Sequence, residues 1–233
     1  CQLNQKQLSK ILFPIGQMTK KDVRELAEKI NLPTAKRKDS QGLCFVGKIK
    51  LPEFLSQKLP RKKGDIIEIS AKSEIYKNNK KSIEEKAKKI VYVKQDGIKV
   101  GNHDGAHFFT IGQRKRLNVG GKEKPLFVIS TDVKSNIVFV GMGENHPGLF
   151  QDSLRIKLSN SHWIREDLKL SNNEEKEFLI RTRYRQKLKK GSLLLVKSNL
   201  FIKFKTPQKS ITPGQFASWY LGDELIGSGV IEN

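Results

Sequence analysis

Cys44 is the residue of this chain best placed to act as a nucleophile. It lies in the stretch Lys36-Arg37-Lys38-Asp39-Ser40-Gln41-Gly42-Leu43-Cys44-Phe45-Val46-Gly47. Three cations begin this stretch, and glycines stand on both sides of the cysteine. Nearby Lys and Arg favour the reactive thiolate of a cysteine, and glycine lets the backbone turn tightly or approach a substrate closely. The stretch is therefore consistent with nucleophilic chemistry. A second interpretation stays open, in which Cys44 is a small apolar side chain packed beside Leu43, Phe45 and Val46.

Two further segments carry groups that bind phosphates and bases. Gln113-Arg114-Lys115-Arg116 is a dense cluster of hydrogen-bond donors beside a glycine, and such donors suit contacts to phosphate and to base edges. Arg181, Arg183 and Arg185 alternate along the chain, so we predict that they share one face of a strand. Tyr184 can stack on a splayed base if it is accessible. The alternative is an exposed barrel face with Tyr184 in the core.

The overall charge indicates a polyanionic partner. The 233 residues include 45 Lys and Arg against 24 Asp and Glu, which gives a net charge of +21. Such an excess favours RNA, DNA or an anionic membrane surface, although charge also serves solubility. No apolar run approaches the roughly 18 residues of a membrane span. Two cysteines make neither a disulfide scaffold nor a metal-ligand set, which indicates a reducing, cytosolic setting.

The histidines do not form a recognisable metal-binding motif. His103 and His107 lack a third and fourth ligand at a recognisable spacing. We therefore expect no metal site, and predict that His103-Asp104-Gly105 is a turn held by side-chain hydrogen bonds.

The elements that position these groups are short. A capping box at Thr19 and the apolar spacing that follows it predict a helix that ends at about residue 30. A second helix is expected over Leu51–Leu59, and a capping pattern at Ser82 predicts a third. Strands are predicted at Ile66–Ile69 and Phe108–Ile111, and a hairpin at Leu126–Ser130 with Ile137–Val140. The Lys-rich segment 70–95 between them is interpreted as a solvated insertion.

The last 80 or so residues read as strands joined by tight turns. Ser192–Lys197 and Leu200–Lys205 flank a Ser198-Asn199 turn. Phe216–Leu221 and Glu224–Ile231 flank a Gly222-Asp223 turn. Several short strands at this spacing predict a small antiparallel barrel.

The segment around Cys44 resembles the one that carries the second catalytic cysteine of the tRNA-specific 2-thiouridylases, the MnmA/TrmU family. Further resemblances follow in the family's order along nearly the whole chain. They are Phe13-Pro14-Ile15-Gly16, Leu32-Pro33-Thr34-Ala35, His103-Asp104-Gly105, Thr110-Ile111-Gly112-Gln113-Arg114-Lys115, Arg181-Thr182-Arg183-Tyr184-Arg185-Gln186 and Thr212-Pro213-Gly214-Gln215. Together these motifs are highly specific, whereas any one of them alone would be weak.

The resemblance implies an α+β, mostly β chain with three parts. Residues 1–47 would be the tail of an α/β ATP-pyrophosphatase domain, including the cysteine loop. Residues 48–147 would form a small central α+β domain that contains the 70–95 insertion, and residues 148–233 a C-terminal antiparallel β-barrel.

The resemblance also implies a reaction, in which sulfur is installed at the 2-position of the wobble uridine of tRNA. ATP, with Mg²⁺, would adenylate the uridine carbonyl oxygen. Cys44 would carry the sulfur as a persulfide received from a donor protein, either a cysteine desulfurase or a sulfur relay, in a form of covalent catalysis. Asp39 and Ser40 would support its loop. The expected tRNA contacts are Lys36, Arg37, Lys38, Gln113, Arg114, Lys115, Arg183, Tyr184 and Gln215.

The chain also departs from the family pattern. The Ser-Gly-Gly-x-Asp-Ser pyrophosphate loop and the family's first catalytic cysteine do not occur in the sequence, so the main ATP-binding motif is expected outside it and the chain alone is expected to be inactive. Arg116 stands where the family usually has glycine, which casts doubt on the local turn. The competing interpretation is a non-catalytic RNA-binding remnant. Both place the protein in the cytoplasm, with no membrane association.

Overall fold

A computed structural model describes residues 1–37, 54, 57, 59–77, 82–184 and 186–232. The chain divides into two compact units, one of Asn4–Pro60 and the other of Cys1–Leu3 with Arg61–Asn233. The Cys44 loop and most of the predicted Leu51–Leu59 helix lie outside the described residues.

The unit of residues 4–60 contains two described helices, α1 (Gln5–Leu8) and α2 (Lys20–Lys29). The predicted capping box begins α2: the Thr19 backbone N donates to Asp22 Oδ2 at 2.9 Å, and the Asp22 backbone N donates to Thr19 Oγ1 at 3.3 Å. Asn31, just after the helix, has a φ of 54°, a conformation that asparagine tolerates and that does not continue a right-handed helix. The predicted helix is confirmed.

The larger unit begins with a four-stranded sheet in the order β2-β1-β4-β3. Its strands are β1 (Gly64–Ile69), β2 (Ile98–His103), β3 (Leu126–Asp132) and β4 (Ile137–Met142). β1 is antiparallel to β2 and parallel to β4, while β3 and β4 form the predicted antiparallel hairpin. In the hairpin turn, Asp132 Oδ1 accepts hydrogen bonds from the backbone N of Lys134 and Ser135.

Both faces of this sheet are covered. Because successive side chains of a strand point to opposite faces, Ile66 belongs to one buried cluster with Val128 and Val138. Ile67 and Phe139 belong to a second cluster on the other face.

The Lys-rich segment 70–95 supplies part of the second cluster. It contains α3 (Ile83–Ala87), which follows the predicted Ser82 cap. Ala87 and Tyr92 are buried, and the Tyr92 ring lies 5.5 Å from the ring of Phe139. The expectation of a solvated segment is therefore wrong, because its apolar and aromatic side chains cover the sheet. Most of its described lysines are exposed, and Lys89 is half-buried. Its status as an insertion remains a prediction.

The strand predicted at Phe108–Ile111 is also wrong. Residues Ala106–Phe108 form a 3₁₀ turn, which follows Gly105 with a φ of 146°. Gly112 then turns the chain again with a φ of 85°. Only the backbone of Gly112 and Gln113 bonds to Val128 in β3, at 2.7 and 2.9 Å. Two backbone turns this close together leave too few extended residues for a strand.

A seven-stranded antiparallel sheet forms the rest of the larger unit, in the order β5-β9-β8-β7-β10-β11-β6. Its strands are β5 (Phe150–Lys157), β6 (Ser161–Trp163), β7 (Glu175–Arg181), β8 (Lys189–Val196), β9 (Asn199–Lys209), β10 (Phe216–Leu221) and β11 (Glu224–Val230). The sheet curls, so that a Cβ placed on Gly229 of β11 would lie 2.6 Å from Ile156 Cγ2 of β5. The predicted mostly β, α+β fold is confirmed, with this sheet as a half-barrel.

The inside of the half-barrel is a single apolar core. Trp163 and Trp219 pack with ring centroids 5.0 Å apart, and Leu193, Leu200 and Ile202 are fully buried beside them. The alternation along each strand puts these side chains inside and the lysines outside.

Both predicted hairpins are present in the half-barrel. The β10–β11 turn uses Gly222, whose φ is 55°. The β8–β9 turn lies one residue earlier than predicted, at Lys197 and Ser198, and Lys197 takes the left-handed conformation with a φ of 55°.

Candidate nucleic-acid interface

The predicted site residues fall into three groups. Asp39, Ser40, Cys44 and Lys38 lie outside the described residues. Lys36 and Arg37 are exposed in the unit of residues 4–60. The remaining residues belong to the larger unit, where their arrangement can be followed in detail.

The loop after Gly112 is braced by its own glutamine. The Gln113 side chain accepts a hydrogen bond from the Thr110 backbone N at 3.2 Å and donates one to the Lys115 carbonyl at 2.8 Å. Arg114 and Lys115 are exposed. Gln113 thus shapes the loop, and the two cations next to it face solvent.

Arg116 adopts the backbone conformation that glycine would take most easily. Its φ is 71°, a left-handed conformation that costs a non-glycine residue about 1–2 kcal/mol. The turn that the resemblance placed in doubt is therefore formed, with arginine in a strained position.

The predicted face of three arginines on one strand is wrong. β7 ends at Arg181, and the next residues turn away: the Thr182 backbone N and Oγ1 both donate to Gln186 Oε1, at 3.0 and 2.9 Å. Arg185 lies outside the described residues. The hydrogen bonds to the Gln186 side chain replace those that a continuing strand would make to its neighbours. The alternation of arginines in the sequence did not indicate this turn.

The turn presents Tyr184 to solvent. Its side chain is 89% exposed, and its backbone carbonyl accepts a hydrogen bond from Arg181 Nη1 at 3.2 Å. Tyr184 is therefore accessible, and the alternative that placed it in the core is wrong; stacking on a base stays a prediction. An exposed aromatic ring next to cations suits stacking on an unpaired base.

Ser210 joins these segments. Its carbonyl accepts hydrogen bonds from Arg183 Nη2 at 2.6 Å and from Thr212 Oγ1 at 3.1 Å. Its backbone N donates to the Leu149 carbonyl at 2.7 Å. Its side chain abuts Gly112, where an added Cβ would lie 2.3 Å from Ser210 Oγ.

Gln215 follows on the same connection. It is half-buried, and its backbone carbonyl accepts a hydrogen bond from the Ile231 backbone N at 2.8 Å. Three separately predicted segments therefore meet around one buried serine. We call this region the Ser210 surface, and its residues are Gln113, Arg114, Lys115, Arg183, Tyr184 and Gln215.

More cations continue from this loop. Arg114, Arg116, Lys122 and Lys124 line one cleft formed by residues 114–126. Lys122 Nζ lies 2.5 Å from Glu68 Oε2, which offsets its charge. Glu123 also lines the cleft, so the net charge there is positive but smaller than the four cations alone would give. Arg114 belongs both to this cleft and to the Ser210 surface.

The predicted His103 turn is confirmed. His103 Nδ1 accepts a hydrogen bond from the Gly105 backbone N at 2.9 Å, and burial lowers the pKa of the imidazole. Among the described residues, no group of three His, Cys, Asp or Glu side chains is placed to hold a metal ion. No helix formed by the described residues is long and apolar enough to cross a membrane.

Sequence reasoning missed Ser210 altogether. Its neighbours along the chain form no recognisable binding or catalytic motif. Its role follows from contacts with residues that are far away in the sequence. Gly112 lay inside a motif, but only its left-handed φ and its contact with Ser210 explain why glycine stands there.

Family models match three stretches of the chain. Residues 1–48 match a tRNA methyl transferase HUP domain, residues 79–142 a tRNA methyl transferase PRC-barrel domain, and residues 153–231 an aminomethyltransferase beta-barrel domain. The first match agrees with the expectation that the N-terminal segment is the tail of an ATP-binding domain. The other two matches fall on the four-stranded and the seven-stranded sheet.

Curated relatives match along nearly the entire chain. A tRNA-specific 2-thiouridylase MnmA of Flavobacterium johnsoniae is 52% identical over 99% of this chain and 60% of the relative. Proteins of the same name from Christiangramia forsetii and Halalkalibacterium halodurans are 48% and 37% identical, again over 99% of this chain and over 60% and 54% of their own lengths. The chain thus spans a little over half the length of these relatives. It belongs to the family of tRNA-specific 2-thiouridylases.

Proposed function

We propose that this chain binds tRNA and carries sulfur to its wobble uridine as part of a tRNA 2-thiouridylase. The observation that carries tRNA binding is the meeting of three segments at Ser210, two of which lead directly into exposed cations and the exposed Tyr184. The names of the relatives support the reaction.

The surface offers two kinds of contact. Arg114 and Lys115 are exposed cations suited to backbone phosphates. Arg183 uses one guanidinium nitrogen on Ser210, and because arginine has five N–H donors, others stay available to phosphate. Tyr184 supplies a ring for one unpaired base, as the bases of an anticodon loop provide.

Sulfur transfer is assigned to Cys44. A persulfide on Cys44, supplied by a sulfur-donor protein, would place a nucleophilic sulfur next to the bound RNA. Lys36, Arg37 and Lys38 would favour the anionic sulfur and hold nearby phosphates, while Asp39 and Ser40 would support the loop.

ATP and Mg²⁺ belong to the family's reaction. Residues 1–48 match a HUP domain, but the printed sequence holds no Ser-Gly-Gly-x-Asp-Ser loop. We therefore expect this chain alone to bind tRNA without thiolating it.

The test is the salt dependence of tRNA binding by this chain. Lys115→Ala should flatten the slope of log K against log salt by about 0.7–0.9, which is the share of one phosphate contact. Lys205→Ala is the matched control, because Lys205 Nζ already lies 2.7 Å from Glu177 Oε1. Equal slopes for the parent chain and for Lys115→Ala would remove this loop from the interface.

A thiolation assay completes the test. ATP-dependent thiolation of tRNA by the printed chain alone would contradict our placement of the ATP site. With the longer protein, Cys44→Ser should abolish thiolation per folded molecule while tRNA binding stays unchanged, because serine cannot carry a persulfide.

A further inference from the structure

We propose that Ser210 and Gly112 are positioning residues that fix the basic loop against the Tyr184 turn, so that one RNA molecule contacts both. This inference rests on the proposed function and names the contacts that hold the two proposed RNA-binding segments together. Neither residue needs to touch RNA.

Ser210 connects several segments that are far apart along the chain. It is only 3% exposed, and its backbone bonds to Leu149, Arg183 and Thr212. These partners lie just before β5, just after β7 and just after Ser210 itself. The position of Ser210 therefore fixes Arg183, and with it the turn that presents Tyr184.

Ser210 also lies in close contact with Gly112. A Cβ at residue 112 would lie 2.3 Å from Ser210 Oγ and 2.8 Å from Ser210 Cβ, which is far inside van der Waals contact. Gly112 in turn donates from its backbone N to the Val128 carbonyl at 2.7 Å. The loop that carries Arg114 is thus held between β3 and the Ser210 side chain.

Both residues have a left-handed backbone conformation. Ser210 has a φ of 57° and Gly112 a φ of 85°. A left-handed serine is unfavourable and persists only where the surrounding contacts determine it. Strain of this kind is concentrated at sites where geometry matters, and here it occurs where the two RNA-contacting segments meet.

Gly112→Ala should therefore separate the two segments. The added methyl group cannot fit against Ser210, so the loop must shift away from the Tyr184 turn. Gly143→Ala is the matched control, because Gly143 has the same φ of 85° but its added Cβ would only approach Lys124 Cδ at 3.7 Å. Both variants carry the same backbone strain, and only one carries the clash.

The experiment measures binding of an unmodified tRNA with a wobble uridine across a range of salt concentrations. Arg114→Ala is introduced into the parent chain, into Gly112→Ala and into Gly143→Ala. We expect Arg114→Ala to flatten the log–log salt slope by about 0.7–0.9 in the parent and in Gly143→Ala. In Gly112→Ala it should change the slope by almost nothing, since the displaced loop no longer reaches the RNA.

Two outcomes overturn the proposal in distinguishable ways. If Arg114→Ala flattens the slope equally in all three backgrounds, tRNA binding at this loop stands, but Ser210 and Gly112 do not position it. If Arg114→Ala leaves the slope unchanged in the parent as well, the proposed tRNA contact of Arg114 fails and the inference fails with it.

A compensating substitution covers the case in which Gly112→Ala does not fold. Ser210→Gly removes the atoms that the new methyl group would meet, keeps the backbone bonds and suits a φ of 57°. Gly112→Ala with Ser210→Gly should fold and recover the slope effect of Arg114→Ala. A double variant that stays unfolded, or that folds without recovering the effect, contradicts the steric account.

Discussion

Helix α2 and strand β8 both carry apolar residues at the spacing that their structures require, but a leucine of α2 and a leucine of β8 lie in different surroundings. Leu193 of β8 is fully buried in the half-barrel core. Leu26 of α2 is 42% exposed, and no residue of that helix is buried. The periodicity of apolar residues thus gives the type of element and the face that is apolar, whereas burial depends on a partner that periodicity does not name.

Exposed apolar side chains also differ between the two regions. Around α2 they are aliphatic or phenyl groups in a run of apolar residues, with Leu12 88% and Phe13 64% exposed. In the larger unit, Tyr184 is 89% exposed, but Arg181 holds its carbonyl and Arg183 is its neighbour. An aromatic ring set among cations fits a nucleic-acid contact, whereas an aliphatic run does not by itself.

The largest expected effect comes from the same substitution in both regions. Leu193→Ala should lower the free energy of unfolding by about 2–5 kcal/mol, since it removes buried methyl groups and leaves a cavity. Leu26→Ala should change it by less than about 0.5 kcal/mol, because the side chain is partly solvated and alanine favours the helix. Urea unfolding measures both. Equal losses would show that α2 is as firmly packed as the half-barrel.

A smaller effect is expected at Lys89, which lines the cleft beside Tyr92 and Ser210. Burial lowers the pKa of Lys89 to about 8, because it disfavours the charged amine. At pH 7 the folded chain must bury that charge, so Lys89→Met should raise stability by about 1–2 kcal/mol.

The pH dependence of this gain checks its cause. The amine of Lys89 loses its proton in the folded chain as pH rises through about 8, while in the unfolded chain it does so near 10.4. The gain should therefore be complete below pH 8 and disappear between about pH 8 and 10. Lys86→Met, at an exposed position of α3, is the control and should give no gain. A gain that does not vary with pH would point to packing instead of charge.

Arg116→Gly should have a still smaller, stabilising effect. Its left-handed φ of 71° strains arginine, and glycine relieves about 1 kcal/mol, less the greater entropy of the unfolded chain. The thermal midpoint should rise by about 1–2 °C. Arg114→Gly is the comparison, because Arg114 does not have a left-handed φ, and it should not stabilise. A lower midpoint for Arg116→Gly would mean that the arginine side chain makes stabilising contacts that outweigh the strain.

The sequence predicted what depends on neighbours along the chain. The Thr19 and Ser82 capping boxes, the β3–β4 hairpin and the Gly222 turn all follow from local patterns, and all are present. The same reasoning failed where distant contacts decide. Gln186 bonds to Thr182 and turns the chain after Arg181, so the arginines do not share a strand. Tyr92 packs against Phe139 of the four-stranded sheet, although the many lysines around Tyr92 in the sequence indicate a solvated segment.

The candidate site follows the same division. The motifs around Gln113, Arg183 and Gln215 could be recognised one at a time, since each has its own residue types. Their meeting point could not, because Ser210 bonds to Leu149 and Arg183, which lie 61 and 27 residues away from it along the chain. Only the folded chain shows that the three motifs meet at Ser210.

The central claim, that tRNA binds at the Ser210 surface, is tested most directly by one pair of substitutions at equally exposed side chains. Tyr184→Ala should weaken tRNA binding about fivefold or more, as the loss of one stacked base requires, with no change in the melting temperature. Leu12→Ala, at a side chain 88% exposed against 89% for Tyr184, should leave both unchanged. The account is contradicted if Tyr184→Ala binds tRNA as tightly as the parent chain, or if Leu12→Ala weakens binding equally.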